Sequence, residues 1–193
     1  MAKVSSARDD LISAAAELFR ARGYEGVGVA ELLEASGAPR GSLYFHFPGG
    51  KEQIGVEVVE RVGAAVTAQF AGLADREVSL EQFIDHVFRH TAKMVKERDF
   101  EASCPIAAIA AEIGAQTGAL RIAVTKQFND WESEVARAAR GRGMSEKNAA
   151  DFASALITTM EGAFLVSKAQ RNIAAHQNAA KAMKALAGAL TPN

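Results

Sequence analysis

The run Gly23–Ile54, GYEGVGVAELLEASGAPRGSLYFHFPGGKEQI, decides how the rest of the chain is read. Apolar residues fall on either side of Gly37, with Val29, Leu32 and Leu33 before it and Leu43 after it. Their spacing is that of helix and not of strand. Gly28 to Glu31 is a weak amino-terminal signal for the first helix. Gly37 takes a turn conformation that other residues resist. Pro39 suits the first position of a second helix, expected over Pro39–Phe45 and ending before Pro48. Two short helices about a glycine turn form a helix-turn-helix, which cannot bury its apolar faces alone. Upstream, Leu11, Ala15, Leu18 and Phe19 line one face of a helix opened by a Ser6/Asp9 capping box and closed by Gly23. That helix supplies the third side of a small core.

The outward side of the second helix then carries Arg40, Ser42, Tyr44 and His46, with Gly41 permitting close approach of the backbone. Arg40 can bond guanine O6 and N7 or a phosphate, and Ser42 can serve either. Tyr44 and His46 can donate to phosphate oxygens, fixing register without reading sequence. Lys51 opens the following helix, whose free amides and partial positive charge already favour a phosphate. Gly28, at the start of the first helix, is grouped with these six as the candidate DNA-binding set.

Gly49-Gly50-Lys51 invites a rival reading as a nucleotide-binding loop. That motif needs glycine where Phe45 stands and Ser or Thr where Glu52 stands, and no strand precedes it. Gly26-Val27-Gly28 lacks the strand–turn–helix setting of a dinucleotide site. His86 and His90 are four apart, as metal ligands can be, but Val87 occupies the place of the zinc-protease glutamate. No metal and no cofactor are expected.

Beyond Lys51 the helices lengthen. Ile54, Val58, Val62, Val66 and Phe70 recur every four residues. Ser79 with Gln82 makes another capping box, ahead of a helix burying Phe83, Val87, Thr91, Met94 and Val95. A short apolar helix follows Cys104-Pro105, then a longer one with Val124, Phe128, Trp131 and Val135. GRGMSEKNA is a loop with Ser145 as the next amino-terminal cap. Two closing helices carry Phe152, Leu156, Thr159, Met160, Ala163 and Phe164, then Met183, Leu186 and Leu190. The fold expected is all-α: a three-helix head at residues 1–50 and a larger helical body at 51–193.

Composition bounds the function. The 193 residues are 49% hydrophobic and 23% charged, with a net charge of −1, so the whole molecule has no basic signature of nucleic acid or membrane binding. In residues 1–51, Lys3, Arg8, Arg20, Arg22, Arg40 and Lys51 are balanced by Asp9, Asp10, Glu17, Glu25, Glu31 and Glu34. Binding to DNA must therefore depend on where the charges point. The single cysteine, Cys104, excludes an internal disulfide and fits a reducing cytoplasm. MAKVSSARDD lacks the apolar stretch of a signal peptide, and Pro105–Ala111 is too short to span a bilayer. A cytoplasmic protein with no membrane partner is expected.

The run Gly23–Ile54 resembles the DNA-binding signature of TetR-family transcriptional repressors. GAPRGSLYFHFPGGKE (Gly37–Glu52) and CPIAAIAAE (Cys104–Glu112) are similar to the LmrA/YxaF-like branch of drug- and flavonoid-responsive repressors. The resemblance implies a homodimer whose last two helices pair as a four-helix bundle, with a ligand pocket in each body. It places Tyr44, His46 and Lys51 at backbone-contact positions. Val27 stands where many relatives have a capping threonine, and Phe45 where some have a second tyrosine. Phe88, Met94, Phe128, Trp131, Met160 and Phe164 can be core or pocket wall, core being the commoner role of helical apolar positions. Cys104, near a helix start, and Glu161, facing either a ligand or solvent at the dimer edge, complete the candidate pocket set. The dimer interface is expected at Phe152, Leu156, Met183, Leu186 and Leu190. The functional expectation is a ligand-responsive homodimeric repressor, binding a palindromic double-stranded operator and released by a small apolar effector. A helical small-molecule-binding enzyme and a protein-binding adaptor are the alternatives, although no nucleophile–base pair or carboxylate cluster stands out.

Overall fold

The computed structural model describes residues 7–39, 41–101, 103–113 and 118–191. Among them lie nine helices and no strand: α1 (Ala7–Arg22), α2 (Val29–Ser36), α3 (Ser42–His46), α4 (Gly50–Ala74), α5 (Leu80–Glu97), α6 (Pro105–Glu112), α7 (Ala119–Arg140), α8 (Glu146–Gln170) and α9 (Ala174–Leu190). Contacts divide the chain into two units, residues 1–64 with 104–127, and residues 65–103 with 128–193. Residue 50, the boundary expected from the sequence, is where α4 begins; α4 and α7 each run through both units.

In the first unit, α1 turns Leu11, Ile12, Ala15 and Phe19 inward against Leu32 of α2, Leu43 of α3 and Phe47. Gly23 ends α1 in the left-handed conformation (φ +79°), its N–H donating to the Phe19 carbonyl at 3.0 Å. Ser6 of the expected capping box lies outside the described residues, while Asp9 is paired with Arg61 of α4. Ile106 and Ile109 of α6 are fully buried, and α6 packs on α1. Val27, at the threonine position of many relatives, is also fully enclosed, and Gly28 is the cap of α2.

α3 corrects the expected Pro39–Phe45 helix: it starts at Ser42 and reaches His46. The Pro39 carbonyl closes a turn by accepting both the Ser42 N–H (2.9 Å) and the Ser42 hydroxyl (2.7 Å). Gly41 brings no side chain that would favour an earlier helical start.

In the second unit α5, α8 and α9 pack on one another around Phe83, Ile84, Phe152, Leu156 and Met183. The Ser79/Gln82 capping box is present in both directions, at 3.2 and 2.9 Å. Ser145 caps α8 as expected, accepting from Asn148 N–H at 3.3 Å. α8 is long and apolar enough to cross a membrane, yet Phe152, Leu156, Met160 and Phe164 on it are buried within its own chain.

Arg142 closes this unit's loops. Its guanidinium donates to the carbonyls of Val78 (2.7 Å), Ala138 (2.8 Å), Arg76 (2.9 Å) and Ala74 (3.4 Å) and lies 5.8 Å from the Phe83 ring centre. It thus collects carbonyls left open beyond the end of α4. Arg142→Met is expected to lower stability by about 2 kcal/mol in chemical denaturation, the scale of hydrogen bonds to a charged group. Arg142→Lys should recover only part, because an ammonium lacks the planar fork that spans several carbonyls.

Candidate DNA-binding interface

The turn joining α2 to α3 is fixed by two residues. Gly37 adopts φ +65°, and its N–H reaches the Glu34 carbonyl. Ser36 contributes a staple that sequence reading missed: its hydroxyl donates to Leu33 O at 3.2 Å and accepts from the Ala38 N–H at 3.3 Å. Ser directly before a turn glycine is the signal that could have found it. Below, Leu32 and Leu43 are fully buried, so α3 has one inward and one outward side.

The outward side holds most of the expected set. Tyr44 is 61% exposed and Phe45 78% exposed, the latter an aromatic platform absent from the sequence-based set. His46 is half-buried, its ring edge-on to Phe45 at 5.1 Å. Gly41 is exposed, with open space where a Cβ would stand. Ser42 already donates its proton to Pro39, which leaves its oxygen as an acceptor, suited to an adenine or cytosine amino group. Gly28 is exposed at the start of α2. Arg40 lies outside the described residues.

Past α3 the chain reverses through Gly50 (φ +62°), whose N–H donates to Phe47 O at 2.8 Å. The Tyr44 ring lies alongside: a Cβ at Gly50 would come 3.8 Å from its Cε1. Lys51 is more enclosed than the sequence implied. Its ammonium sits 4.2 Å from the Tyr24 ring centre and 3.9 Å from the Glu25 carboxylate. Burial pushes the Tyr24 hydroxyl up to about 12, helped by the Glu25 and Glu52 carboxylates. A phosphate arriving here would exchange with Glu25, a loose and exposed partner, while the cation–π contact held the ammonium in place.

The residues expected at a pocket or in the core fall in both units. Cys104 caps α6 in the first unit, whereas the others belong to the second. Trp131 is fully buried, with Phe128 edge-on at 5.4 Å and Phe70 at 6.5 Å, and Phe70 stacks on Phe83 at 6.5 Å. This is an aromatic core. Met160 and Phe164 are buried, Met94 is half-buried, and Glu161 turns its carboxylate oxygens inward. A groove of about 550 Å³ instead runs between α5 and α9, and of the eight only Phe88 lines it. Its polar residues, His176 above all, were not found from sequence, since a lone histidine on an alanine-rich helix carries no motif.

The interface set holds both buried and partly exposed positions. Phe152 and Leu156 are fully enclosed by their own chain and Met183 nearly so, leaving no surface for a partner. Leu186 and Leu190 are half-buried. The exposed apolar side chains of α8 are Leu165, at 70%, and Val166. His86 and His90 are exposed, and no group of three or more potential metal ligands occurs among the described residues.

Two family models match the chain: "Bacterial regulatory proteins, tetR family" over residues 11–65, and "Transcriptional regulator LmrA/YxaF-like, C-terminal domain" over 81–182. The HTH-type transcriptional regulator LmrA of Bacillus subtilis is 30% identical over 165 residues, covering 86% of this chain and 88% of its own. An uncharacterized HTH-type transcriptional regulator of Mycobacterium tuberculosis is 32% identical over 171 residues, covering 86% of each. The crystal structure of a TetR transcriptional regulator from Legionella pneumophila superposes with a TM-score of 0.86 at 16% identity, over 95% of this chain and 98% of that one. The families and curated relatives are transcriptional regulators, not enzymes.

His176 is 1% exposed, and burial pulls its pKa from 6.5 down to about 4. Below the ordinary histidine pKa the unfolded chain binds a proton that the folded imidazole refuses. Its contribution is therefore fully present above pH 6.5 and is lost as pH falls toward about 4, amounting to at most about 3 kcal/mol. Asp85, Arg89, Lys93, Lys96, Lys181 and Lys184 share the groove, and five of the six are cations. Urea denaturation across this range should show a steeper pH dependence for the parent than for His176→Gln.

Proposed function

The chain belongs to the TetR family of bacterial transcriptional regulators, with an LmrA/YxaF-like C-terminal domain, and we propose that it acts as a homodimeric repressor released from a palindromic operator by a small, largely apolar effector. On this reading residues 1–50 are the DNA-binding head and 51–193 the effector and dimerisation body, acting in the cytoplasm. The observation that carries it is the outward side of α3. Tyr44 and Phe45 are the most exposed aromatics of the helix-turn-helix, directly above a buried Leu43. Large aromatic side chains stay in water at a cost that a partner surface offsets. Tyr44, His46 and Lys51 would fix the head on phosphates, while Ser42, Gly41 and Arg40 would face base edges.

A two-fold dimer would set two such helices in successive major grooves about 34 Å apart. Leu165 and Val166 of α8, with the half-buried Leu186 and Leu190 of α9, are the apolar surface we assign to the partner subunit. The same two helices pack on each other within the chain, the arrangement a four-helix bundle between subunits extends.

Release requires that an effector bind one conformation of the head better than another. A route exists within the first unit. Glu112, at the end of α6, accepts the Glu25 N–H at 2.6 Å and lies against Gly23, so α6 grips the turn between α1 and α2. A shift of α6 would move that turn and the α2–α3 pair that follows it.

Two measurements test this reading. Against DNA from the chain's own upstream region, Tyr44→Ala with Lys51→Ala should weaken the gel-shift affinity at least tenfold with the fold intact by circular dichroism. Unchanged affinity would refute the contact assignment. Glu112→Gln, which turns a charged acceptor into a neutral one, should leave operator affinity within about threefold while reducing an inducer's effect on it. An undiminished response would rule out α6 as the route.

A further inference from the structure

The groove between α5 and α9 has features that neither the DNA-binding head nor the aromatic core uses. Its lining recurs at helical spacing on both sides. Asp85, Phe88, Arg89, Ala92, Lys93 and Lys96 come from α5, and Ile173, His176, Gln177, Ala180, Lys181 and Lys184 from the start and body of α9. Asp85, early in α5, bonds Lys184, late in α9, at 2.9 Å, so the helices run antiparallel along it. Each row spans eleven residue steps, about 16 Å of helix. Alanines at 92 and 180 leave the space open, and Phe88 and Ile173 give it apolar walls.

The charges are one-sided. Arg89, Lys93, Lys96, Lys181 and Lys184 face a single carboxylate, Asp85, which Lys184 already engages. Lys93 has a loose, exposed partner in Glu97 at 3.6 Å. Lys96 and Lys181 are exposed and have no acidic partner within salt-bridge range among the described residues.

His176 adds an independent sign of a ligand. It is 1% exposed and lines the groove; its Nδ1 lies 2.9 Å from the Ser167 hydroxyl, and its Nε2 has no hydrogen-bond partner. A buried polar group without a partner is rare in folded proteins and asks for an occupant. Burial keeps the ring neutral, and the Ser167 hydroxyl can donate to Nδ1; in that tautomer the second nitrogen presents an N–H. The residue stands in the first turn of the 17-residue α9, where the helix dipole adds partial positive charge.

We propose that this groove binds an organic carboxylate with an extended apolar body. One carboxylate oxygen accepts from His176 Nε2, Lys96 and Lys181 attract the head from either wall, and the body lies over Ala92, Ala180 and Phe88. A single negative head suits the site better than a multiply charged phosphate. It has one buried neutral donor, its lysines are dispersed along the walls, and Asp85 closes the far end. The volume falls within the range of small-molecule sites, and the mix of apolar walls with a few polar anchors is typical of them. The site requires neither operator binding nor an effector role.

The test uses the full chain without DNA, with decanoate and 1-decanol as probes below their micellar or solubility limits. Calorimetry should show one decanoate per chain, with decanol at least tenfold weaker. Lys96→Gln with Lys181→Gln, both at exposed positions, should weaken decanoate at least tenfold and leave decanol unchanged. In the parent labelled with ¹⁵N-histidine, the Nε2 resonance of His176 should shift on adding decanoate. Absence of saturable decanoate binding, equal affinity for decanol, indifference to the double substitution, or an unmoved Nε2 signal would each overturn the proposal. Because no operator is present, a failed operator assay leaves these outcomes untouched.

Discussion

Tyr24 stands on the turn after α1, and its ring is clasped from several sides. Phe19 meets it at 5.1 Å, the Lys51 ammonium covers it at 4.2 Å, and Gly55 of α4 lies so near that a Cβ there would come 3.1 Å from Tyr24 Cε2. Leu120 of α7 presses on the same glycine, 3.2 Å from that hypothetical Cβ. The missing side chain at 55 thus lets the turn of the head, the first turns of α4 and the start of α7 meet in one place. Interiors packed this closely do not deform continuously. A displacement of α4 must carry Tyr24 with it or open a cavity beneath it. The turn after α1 is consequently held to the first turns of α4 and α7 by contact as well as by chain connection.

Much of this was legible from local pattern, because the signals concerned are local. Gly37, the Ser79/Gln82 box and the Ser145 cap each act over four residues, and each formed as read. α3 was misplaced because Pro39 is permitted at the first turn of a helix but does not compel one there. The Ser42 hydroxyl, reaching back three residues, decided otherwise. The expected interface residues divide for a different reason, Phe152, Leu156 and Met183 being buried and Leu186 and Leu190 half-buried. A four-residue apolar period marks a buried face but does not say whether the chain or its partner does the burying. Phe152 and Leu156 belong to the chain's own core, whereas Leu165 and Val166, off that stripe, are exposed.

The α5–α9 groove was illegible for the same physical reason in reverse. Each of its helices alone shows a solvated charged face, an unremarkable pattern. Only pairing them sets five cations around one buried imidazole. The aromatic residues that could be core or pocket wall are those that most strongly drive burial, and Trp131, Phe83 and Phe88 are buried.

The head solves an electrostatic problem that its neutral composition poses. Its acids are largely paired away from α3: Glu31 with Arg22, Glu17 with Arg20, Asp9 with Arg61, and Arg8 reaches Glu57 while lying 5.4 Å from the Phe47 ring centre. α3 itself carries no acidic residue, so its outward side is free of local repulsion toward a polyanion. On the proposed reading, a head built in this way would attract phosphate through a few placed groups and not through a general field. Its non-specific affinity for DNA would then be low, and its discrimination would rest on how well α3 fits a groove. That makes the turn geometry at Gly37, Ser36 and Ser42 matter more to binding than the number of lysines, because a small rotation of α3 would misplace every group on it at once.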